Sequence, residues 1–260
     1  MKTLEMFSLS GKTALVTGGA GLYGRQVVEA LAEAGAKTFT ASRNLERLRE
    51  FTAGLSGQGY DVTALKMDLG DEKSVLGLRD RLMEQSGRLD ILVNNAVLRP
   101  MKGYEDDAAN FALSMQVNAT GLFIITRAMG DIMARQKSGS IINISSIMGL
   151  IGPDPTNYEG TQMHAWYPDY FFHKGGMANF TRFIASRYGA QGVRCNCIMP
   201  GGLFTPKMPK EFVKNYSRRT CLGRLANRTD LKGTIVYLAS DASAYVTGAN
   251  IPVDGGYTSK

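Results

Sequence analysis

Short segments rich in β-branched residues alternate with longer segments of helical periodicity along almost the whole chain. The strand candidates are residues 12–17, 37–42, 61–66, 89–94, 140–145, 193–199 and 250–253. Helical patterns fill the intervals, among them residues 26–34, 45–55, 108–135 and 170–188. Segments that alternate at this spacing form parallel strands joined by helical crossovers. The pattern therefore predicts an α/β fold with a doubly wound parallel sheet of about seven strands flanked by helices.

Nothing in the sequence divides this alternation into separate units. It contains no Pro-rich or low-complexity linker and no internal repeat. A chain of 260 residues is long enough to bury a sizeable core, so residues 1–260 are expected to form a single domain. No apolar run reaches the ~18 residues that a membrane-spanning helix needs, and the first residues lack the pattern of a secretory signal. These features predict a cytoplasmic protein without a membrane partner.

The formal net charge of +7 raises the question of a nucleic-acid partner. The basic residues are scattered, however, and the longest basic run is the pair Arg218 and Arg219. Nucleic-acid-binding proteins concentrate Lys and Arg on one face or along one helix. We therefore expect no nucleic-acid partner, and a surface that attracts small anionic molecules.

The three cysteines and two histidines show no spacing typical of a metal site. Cys195 and Cys197 alternate on a strand candidate, so both side chains are expected to point into the core. His164 and His173 have no Asp or Cys at ligand spacing. The sequence therefore predicts no bound metal.

A glycine-rich turn follows the first strand candidate and precedes a helical segment. It contains Gly18, Gly21 and Gly24, with Leu22 and Tyr23 between the last two. Glycines in such a turn let backbone N–H groups approach a pyrophosphate, and the N-terminus of the next helix adds favourable polarity. The turn could serve only to reverse the chain. Its place after the first strand nevertheless favours a Rossmann-type dinucleotide site.

The end of the second strand candidate indicates which dinucleotide is preferred. A carboxylate there would bind the ribose 2′-hydroxyl of NAD(H), whereas a cation would bind the 2′-phosphate of NADP(H). Ser42 and Arg43 occupy this position, and no carboxylate occurs before Glu46. NADP(H) is therefore favoured, with NAD(H) still possible. Alternatively, Arg43 is a solvated residue at the start of a helix that Asn44 caps.

Further motifs occur in a fixed order at the ends of the later strand candidates and on the helices. After the glycine-rich turn come Asp68, Asn94-Asn95-Ala96, Asn118, Ser146, Tyr170 with Lys174, Pro200-Gly201 with Thr205, and two short motifs at residues 246–248 and 253–256. In this order they resemble the short-chain dehydrogenase/reductase family, in its compact branch, from about residue 9 to residue 258. The resemblance implies a Rossmann-type fold and NAD(P)-dependent oxidoreductase activity. It also implies a homo-oligomer, a dimer or a tetramer.

The same resemblance implies the site residues. The catalytic set is Asn118, Ser146, Tyr170 and Lys174, with Tyr170 as the proton donor or acceptor. In the family, the counterpart of Lys174 also holds the nicotinamide ribose, and that of Asn118 anchors a water in the proton relay. Cofactor contacts are expected from Gly18, Gly21, Leu22, Tyr23, Gly24, Ser42, Arg43, Asp68, Leu69, Asn95, Ala96, Tyr170, Lys174, Pro200, Gly201 and Thr205.

The chemistry of Tyr170 and Lys174 agrees with this assignment. Because they are four residues apart on a helical segment, they lie on one face and within side-chain reach. A free phenol has a pKa of ~10 and is a poor base at neutral pH. A neighbouring ammonium favours the phenolate and makes Tyr170 suitable for general acid/base catalysis. Ser146 follows a strand candidate, where its hydroxyl can hydrogen-bond a substrate oxygen on which charge develops.

The glycine-rich turn departs from the pattern of the compact branch. Leu22 stands where compact members usually have a glycine, and this spacing is closer to the extended branch, which includes nucleotide-sugar epimerases and dehydratases. Only 60 residues follow Pro200, however, which is too few for the substrate-binding region of that branch. The sequence therefore favours the compact branch.

The interval of 24 positions between Ser146 and Tyr170 is longer than is usual in the family. Tyr158 and Tyr167 lie within it and are rival catalytic phenols, but neither has a lysine four positions later. The extra residues fall within 151–169 and are predicted to form an enlarged loop in the substrate wall. Alternatively, this insertion packs on a neighbouring subunit.

The loop is rich in aromatic and hydrogen-bonding side chains, which suit a sugar or a polyol. Substrate contacts are expected from Ser146, Tyr158, His164, Trp166 and Tyr170. The sequence thus predicts an NADP(H)-preferring oxidoreductase that interconverts a secondary alcohol and a ketone, with Tyr170 as general acid/base. Two alternatives remain: a sugar epimerase or dehydratase that retains its cofactor, and a regulatory protein that binds NADP(H) without reaction.

Overall fold

A single parallel sheet of seven strands forms the centre of the computed structural model, which describes residues 2–260. The strands are β1 (Thr13–Thr17), β2 (Lys37–Ser42), β3 (Val62–Lys66), β4 (Ile91–Asn94), β5 (Gly139–Ile144), β6 (Val193–Pro200) and β7 (Asn250–Val253). Their spatial order is β3-β2-β1-β4-β5-β6-β7, and every neighbouring pair is parallel. The predicted α/β class and doubly wound sheet are confirmed. The order reverses between β1 and β4, which opens a crevice at the carboxyl ends of these strands.

Eight α-helices connect the strands within the described residues. They are α1 (Leu22–Glu33), α2 (Leu45–Ser56), α3 (Glu72–Ser86), α4 (Ala108–Met115), α5 (Leu122–Gln136), α6 (Pro168–Tyr188), α7 (Lys210–Arg219) and α8 (Lys232–Ala239). Asn44, Asp71 and Asp107 each accept a hydrogen bond from a backbone N–H in the first turn of the following helix. These side chains satisfy donors that would otherwise lack partners, which explains where α2, α3 and α4 begin.

Several predicted boundaries were wrong. The segment over residues 108–135 is not one regular helix, because a π-helical turn, Gln116–Gly121, joins α4 to α5. β4 begins at Ile91 and not at residue 89, since Asp90 turns its carboxylate to the Thr13 N–H (2.8 Å) and to Arg88 (2.6 Å). α1 begins at Leu22, four positions before the predicted start, because the glycine-rich turn leads directly into the helix.

The two faces of the sheet carry two separate apolar layers. Along β1, Ala14 and Val16 pack in the layer that contains α1, α2 and α8. Leu15, which points to the opposite face, packs in the layer of α3, α5 and α6. Cys195 and Cys197 are also buried, as predicted. A central strand buried on both faces explains why β1 is apolar without polar alternation.

One helical segment in the described residues, Ala108–Gln136, is long and apolar enough to cross a membrane by length and composition alone. Ile125, Met129 and Met133 of this segment are buried in the layer against the sheet. A core helix of this kind passes the same test, so the apolar composition of α5 is explained by its contact with the strands.

A chain of buried polar side chains crosses the sheet at the carboxyl ends of β4 and β5. Asn94 donates from Nδ2 to Oδ1 of Asn143 (2.9 Å) and to Oγ1 of Thr126 (3.0 Å). Asn143 in turn donates to Oγ1 of Thr181 at 2.9 Å. Buried polar groups are costly unless they are hydrogen-bonded. This chain therefore fixes α5 and α6 relative to the two strands that position the crevice.

We expect Asn143→Ala to lower the free energy of unfolding by about 2 kcal/mol, because it removes two buried side-chain hydrogen bonds and leaves their partners with fewer. Denaturant unfolding followed by circular dichroism measures the change. Asn179→Ala, at an exposed position of α6, is the matched control. If Asn143→Ala lowered the free energy of unfolding no more than Asn179→Ala does, the structural role of these hydrogen-bonded side chains would be contradicted.

Candidate active site

The glycine-rich turn at the start of α1 has the geometry of a phosphate cradle. Gly18 has φ +71°, and a Cβ added to Gly24 would collide with the carbonyl oxygen of Gly18. Gly21 is the N-cap of α1 and offers no side chain to the first N–H groups of the helix. Asn95 donates from Nδ2 to the carbonyls of Thr17 and Gly18, both at 3.0 Å, and so holds the turn in place. The free N–H groups at this helix end fit a pyrophosphate.

A direct hydrogen bond joins this turn to the end of β6. The hydroxyl of Tyr23 donates to the carbonyl oxygen of Gly201 at 2.8 Å. Burial, with nearby Tyr216 and Asp230, raises the pKa of the Tyr23 phenol well above its ordinary value, so the group remains a donor. Gly201 follows Pro200, the last residue of β6. Two segments predicted to contact the cofactor are thus linked across the crevice.

The end of β2 carries two cations, of which the sequence identified one. Arg43 is exposed, and the Ser42 hydroxyl donates to the carbonyl of Asn44 at 3.1 Å. Arg47, in the first turn of α2, donates to the carbonyl of Ala20 in the glycine-rich turn at 3.2 Å. The sequence signal that could have identified Arg47 is its position as a basic residue in the first turn of the helix after β2. Arg43 and Arg47 together could hold a phosphate on the adenosine ribose.

The remaining predicted cofactor residues lie at the same edge of the sheet. Asp68 and Leu69 follow β3, and the Asp68 carboxylate accepts from the Gly70 N–H at 2.9 Å. Thr205 is half-buried in the segment after β6. A small cavity at the β1–β4 crevice brings cofactor and catalytic candidates together, and its lining includes Thr17, Leu69, Ala96, Asn118, His173 and Lys174.

The predicted catalytic side chains come from the end of β5 and from α6. Lys174 is buried, and its Nζ donates to the carbonyl oxygen of Ile144 at 2.7 Å. The Ser145 hydroxyl donates to the Lys174 carbonyl at 2.8 Å, which ties strand and helix together a second time. Ser146, also buried, follows directly and caps a short helical turn by accepting from the Met148 N–H.

Tyr170 lies one helical turn before Lys174, and its pKa is lowered below the ordinary value for a phenol. Burial alone would raise this pKa. Burial is the largest single effect, but the charges of Lys174 and Arg99, together with hydrogen bonding from Ser146 and Arg99, outweigh it. The phenolate is therefore accessible closer to neutral pH, as general acid/base chemistry requires. The pKa of Lys174 is itself lowered, chiefly by burial, with Tyr170 opposing that effect.

The side chain of Asn118 holds a loop. Its Oδ1 accepts from the Leu98 N–H at 2.8 Å, and its Nδ2 donates to the Leu98 carbonyl at 2.7 Å and to the Ser114 hydroxyl at 3.0 Å. Asn118 lies within the π-helical turn, Gln116–Gly121. Both amide hydrogens are engaged, so the side chain could hold a water only through the second lone pair of Oδ1. The role of Asn118 in a proton relay stays a prediction.

Arg99 is a residue of this site that sequence reasoning missed. It is exposed in the loop between β4 and α4, and its guanidinium carbon lies 4.3 Å from the centre of the Tyr170 ring. A single arginine in a loop has no pattern that marks it. The only available signal was its position shortly after the carboxyl end of β4, where ligands of such sheets bind.

The loop predicted over residues 151–169 packs on α7 of the same chain. Tyr158 lies with its ring centre 5.4 Å from that of Phe212, and burial raises the pKa of Tyr158 to about 12. His164 stacks on Tyr167 at 4.8 Å, whereas Trp166 is 51% exposed. Tyr158 therefore has a packing role, and substrate contacts from Tyr158, His164 and Trp166 stay predictions.

We expect Lys174→Met to raise the pKa of Tyr170, because the ammonium that stabilises the phenolate is removed while the burial that opposes it remains. The titration is measured by NMR on protein with isotope-labelled tyrosine, and Tyr170→Phe assigns the signal. Lys214→Met, at an exposed position of α7, is the control. An unchanged or lower Tyr170 pKa in Lys174→Met would contradict the electrostatic role of the lysine.

Comparisons with known proteins cover nearly the whole chain. A family model described as enoyl-(acyl carrier protein) reductase matches residues 21–258. A tropinone reductase homolog from Arabidopsis thaliana is 33% identical, over 99% of this chain and 96% of the plant protein. The cis-4-hydroxycyclohexanecarboxylate dehydrogenase of Sinomonas cyclohexanicum is 33% identical, over 95% of this chain and 96% of that protein.

Solved structures show the same likeness. A gluconate 5-dehydrogenase from Burkholderia cenocepacia J2315, in complex with NADP and tartrate, has a TM-score of 0.88, 27% identity and 100% coverage of both chains. The seven-stranded parallel sheet agrees with these matches. The chain therefore belongs to the short-chain dehydrogenase/reductase family of NAD(P)-dependent oxidoreductases that act on CH–OH groups.

Proposed function

We propose that this protein is an NADP(H)-preferring dehydrogenase/reductase that interconverts a secondary alcohol and a ketone. One observation carries the proposal: Tyr170 has a lowered pKa beside a buried ammonium and next to Ser146 at the end of β5. The name of the Sinomonas cyclohexanicum relative describes oxidation of a ring secondary alcohol, which supports this reaction class.

The residues divide the chemistry between them. NADP(H), when bound, accepts or supplies the hydride. Tyr170 takes the hydroxyl proton during oxidation and returns it during reduction. Ser146 hydrogen-bonds the substrate oxygen and so stabilises charge that develops on it. Lys174 favours the phenolate of Tyr170 and is held in position by the Ile144 carbonyl.

The preference for NADP(H) is supported by the cations at the end of β2. Arg43 and Arg47 precede or begin α2, and Arg47 contacts the glycine-rich turn. Guanidinium groups bind phosphate oxygens in a planar, bidentate manner. The B. cenocepacia gluconate 5-dehydrogenase was crystallised with NADP, which agrees with the same preference.

A homo-oligomer is supported by apolar side chains on the outer surface of the central helices. Leu113 of α4, Phe123 of α5, and Phe172 and Phe183 of α6 are between 43% and 67% exposed. Large apolar side chains that collect on neighbouring helices mark surfaces where proteins associate. We propose that these helices form the contact between subunits of a dimer or tetramer.

Tyr170→Phe should lower kcat by ~10²–10⁴-fold, because the proton donor is lost while the cofactor cradle is unchanged. Turnover is measured by NADPH absorbance over a panel of ketones, and NADPH binding by fluorescence. In the unaltered protein, alcohol oxidation should rise with pH as Tyr170 ionises, at a pKa below the ordinary phenol value. Ketone reduction should fall over the same range. Full activity of Tyr170→Phe would exclude Tyr170 from the reaction.

Arg43→Ala and Arg47→Ala should each reduce the preference for NADPH over NADH by about tenfold, because each removes a charge-assisted phosphate contact. The ratio of the two dissociation constants is the relevant measurement, since NADH affinity should change little. Arg49→Ala, an exposed arginine of the same helix, is the control. An unchanged ratio in both variants would contradict recognition of the 2′-phosphate by these residues.

A further inference from the structure

Arg99 places a cation directly against the reacting phenol. Its guanidinium carbon lies 4.3 Å from the centre of the Tyr170 ring, whereas Nζ of Lys174 lies at 5.8 Å. Lys174 is buried, but Arg99 is exposed. Of the two cations beside Tyr170, Arg99 is therefore the one open to a ligand from solvent.

The backbone beside Arg99 is held firmly. Asn118 is buried, and its side chain binds the backbone of Leu98, the neighbour of Arg99. It accepts from the Leu98 N–H at 2.8 Å and donates to the Leu98 carbonyl at 2.7 Å. Asn118 is in turn bonded to the buried Ser114 hydroxyl. Because both backbone polar groups of Leu98 are held, the backbone at the adjacent Arg99 is also restricted. Such a residue loses less conformational entropy on binding than an arginine on a free loop.

The positive charge of Arg99 is not balanced by the protein. Among the ion pairs formed by residues 2–260, none includes Arg99. The charge of Arg99 influences the pKa values of Tyr170, Tyr158, Lys174 and His173. His173 is neutral near pH 7, because burial and then the charges of Lys174 and Arg99 lower its pKa to about 3. None of these four groups supplies a carboxylate that would balance the charge of Arg99.

We propose that Arg99 binds a carboxylate of the substrate, so that the natural substrate is a hydroxy acid or the corresponding keto acid. The inference rests on the proposed dehydrogenase/reductase function and specifies its substrate class. The planar guanidinium fork matches a carboxylate in a bidentate pair, which a single lysine does not. Because Arg99 contacts the ring of Tyr170, the carboxylate lies within a few bonds of the reacting carbon.

A matched pair of substrates tests the charge directly. Levulinate and levulinamide have the same ketone and chain, but only the first carries a carboxylate. The unaltered protein should show a kcat/KM for levulinate ~10- to 100-fold above that for levulinamide. Arg99→Gln should abolish this preference, mainly through KM, and Arg99→Lys should restore part of it. Lys102→Gln removes an exposed cation from the same loop and should leave the preference intact.

Two kinetic results would overturn the inference. One is an equal kcat/KM for both compounds in the unaltered protein. The other is an equal loss for both in Arg99→Gln, which would show that Arg99 acts only on the Tyr170 phenolate. In either case turnover of levulinamide would leave the proposed function standing.

A binding measurement makes the inference independent of turnover. Calorimetric titration in the presence of NADP⁺ should show tighter binding of levulinate than of levulinamide, and this difference should vanish in Arg99→Gln. Equal binding of the two compounds to the unaltered protein would overturn the inference even if neither is reduced. Selective binding of levulinate with no NADPH oxidation by any ketone would instead support the Arg99 site and contradict the proposed function.

Discussion

The contact between the Lys174 ammonium and the Ile144 carbonyl sets the geometry of the whole reacting end. A buried ammonium is costly unless it is hydrogen-bonded, and this carbonyl, at the last residue of β5, satisfies it. The Ser145 hydroxyl binds the backbone of the same lysine. Ser146 follows on the strand side and Tyr170 precedes by one turn on the helix side. One strand end and one helix are thus locked together, and the three reactive groups follow from that junction.

Asparagine side chains extend this rigidity outward from the junction. Asn94 and Asn143 join the ends of β4 and β5 to α5 and α6. Asn95 fixes the glycine-rich turn, and Asn118 fixes the loop that carries Arg99. These side-chain amides hydrogen-bond neighbouring elements in addition to the backbone pairing of β4 with β5. Such fixed positions lower the entropic cost of binding, because fewer groups have to be ordered.

The sheet and the reactive trio were predictable because their signals are local. Parallel strands buried on both faces give short apolar runs, and Tyr170 with Lys174 is a helical spacing that can be read directly. The π-helical turn was not predictable, since the pattern of apolar residues continues through it. Arg47 and Arg99 were missed for a related reason. Their importance depends on the Ala20 carbonyl and the Tyr170 ring that the fold brings beside them. The sequence pattern does not show such contacts between distant residues.

The loop over residues 151–169 is anchored both to α7 and to Tyr257. Asp154 forms an ion pair with Arg219, the last residue of α7, at 2.9 Å, and buried Asn157 donates to the hydroxyl of Tyr257 at 2.5 Å. Tyr257 is 1% exposed and stacks near Tyr216, whose hydroxyl accepts from the Gly202 N–H. Tyr257 is therefore coupled through Asn157 to the loop over residues 151–169. A displacement of this loop would have to carry Tyr257 with it or break a hydrogen bond between two buried side chains.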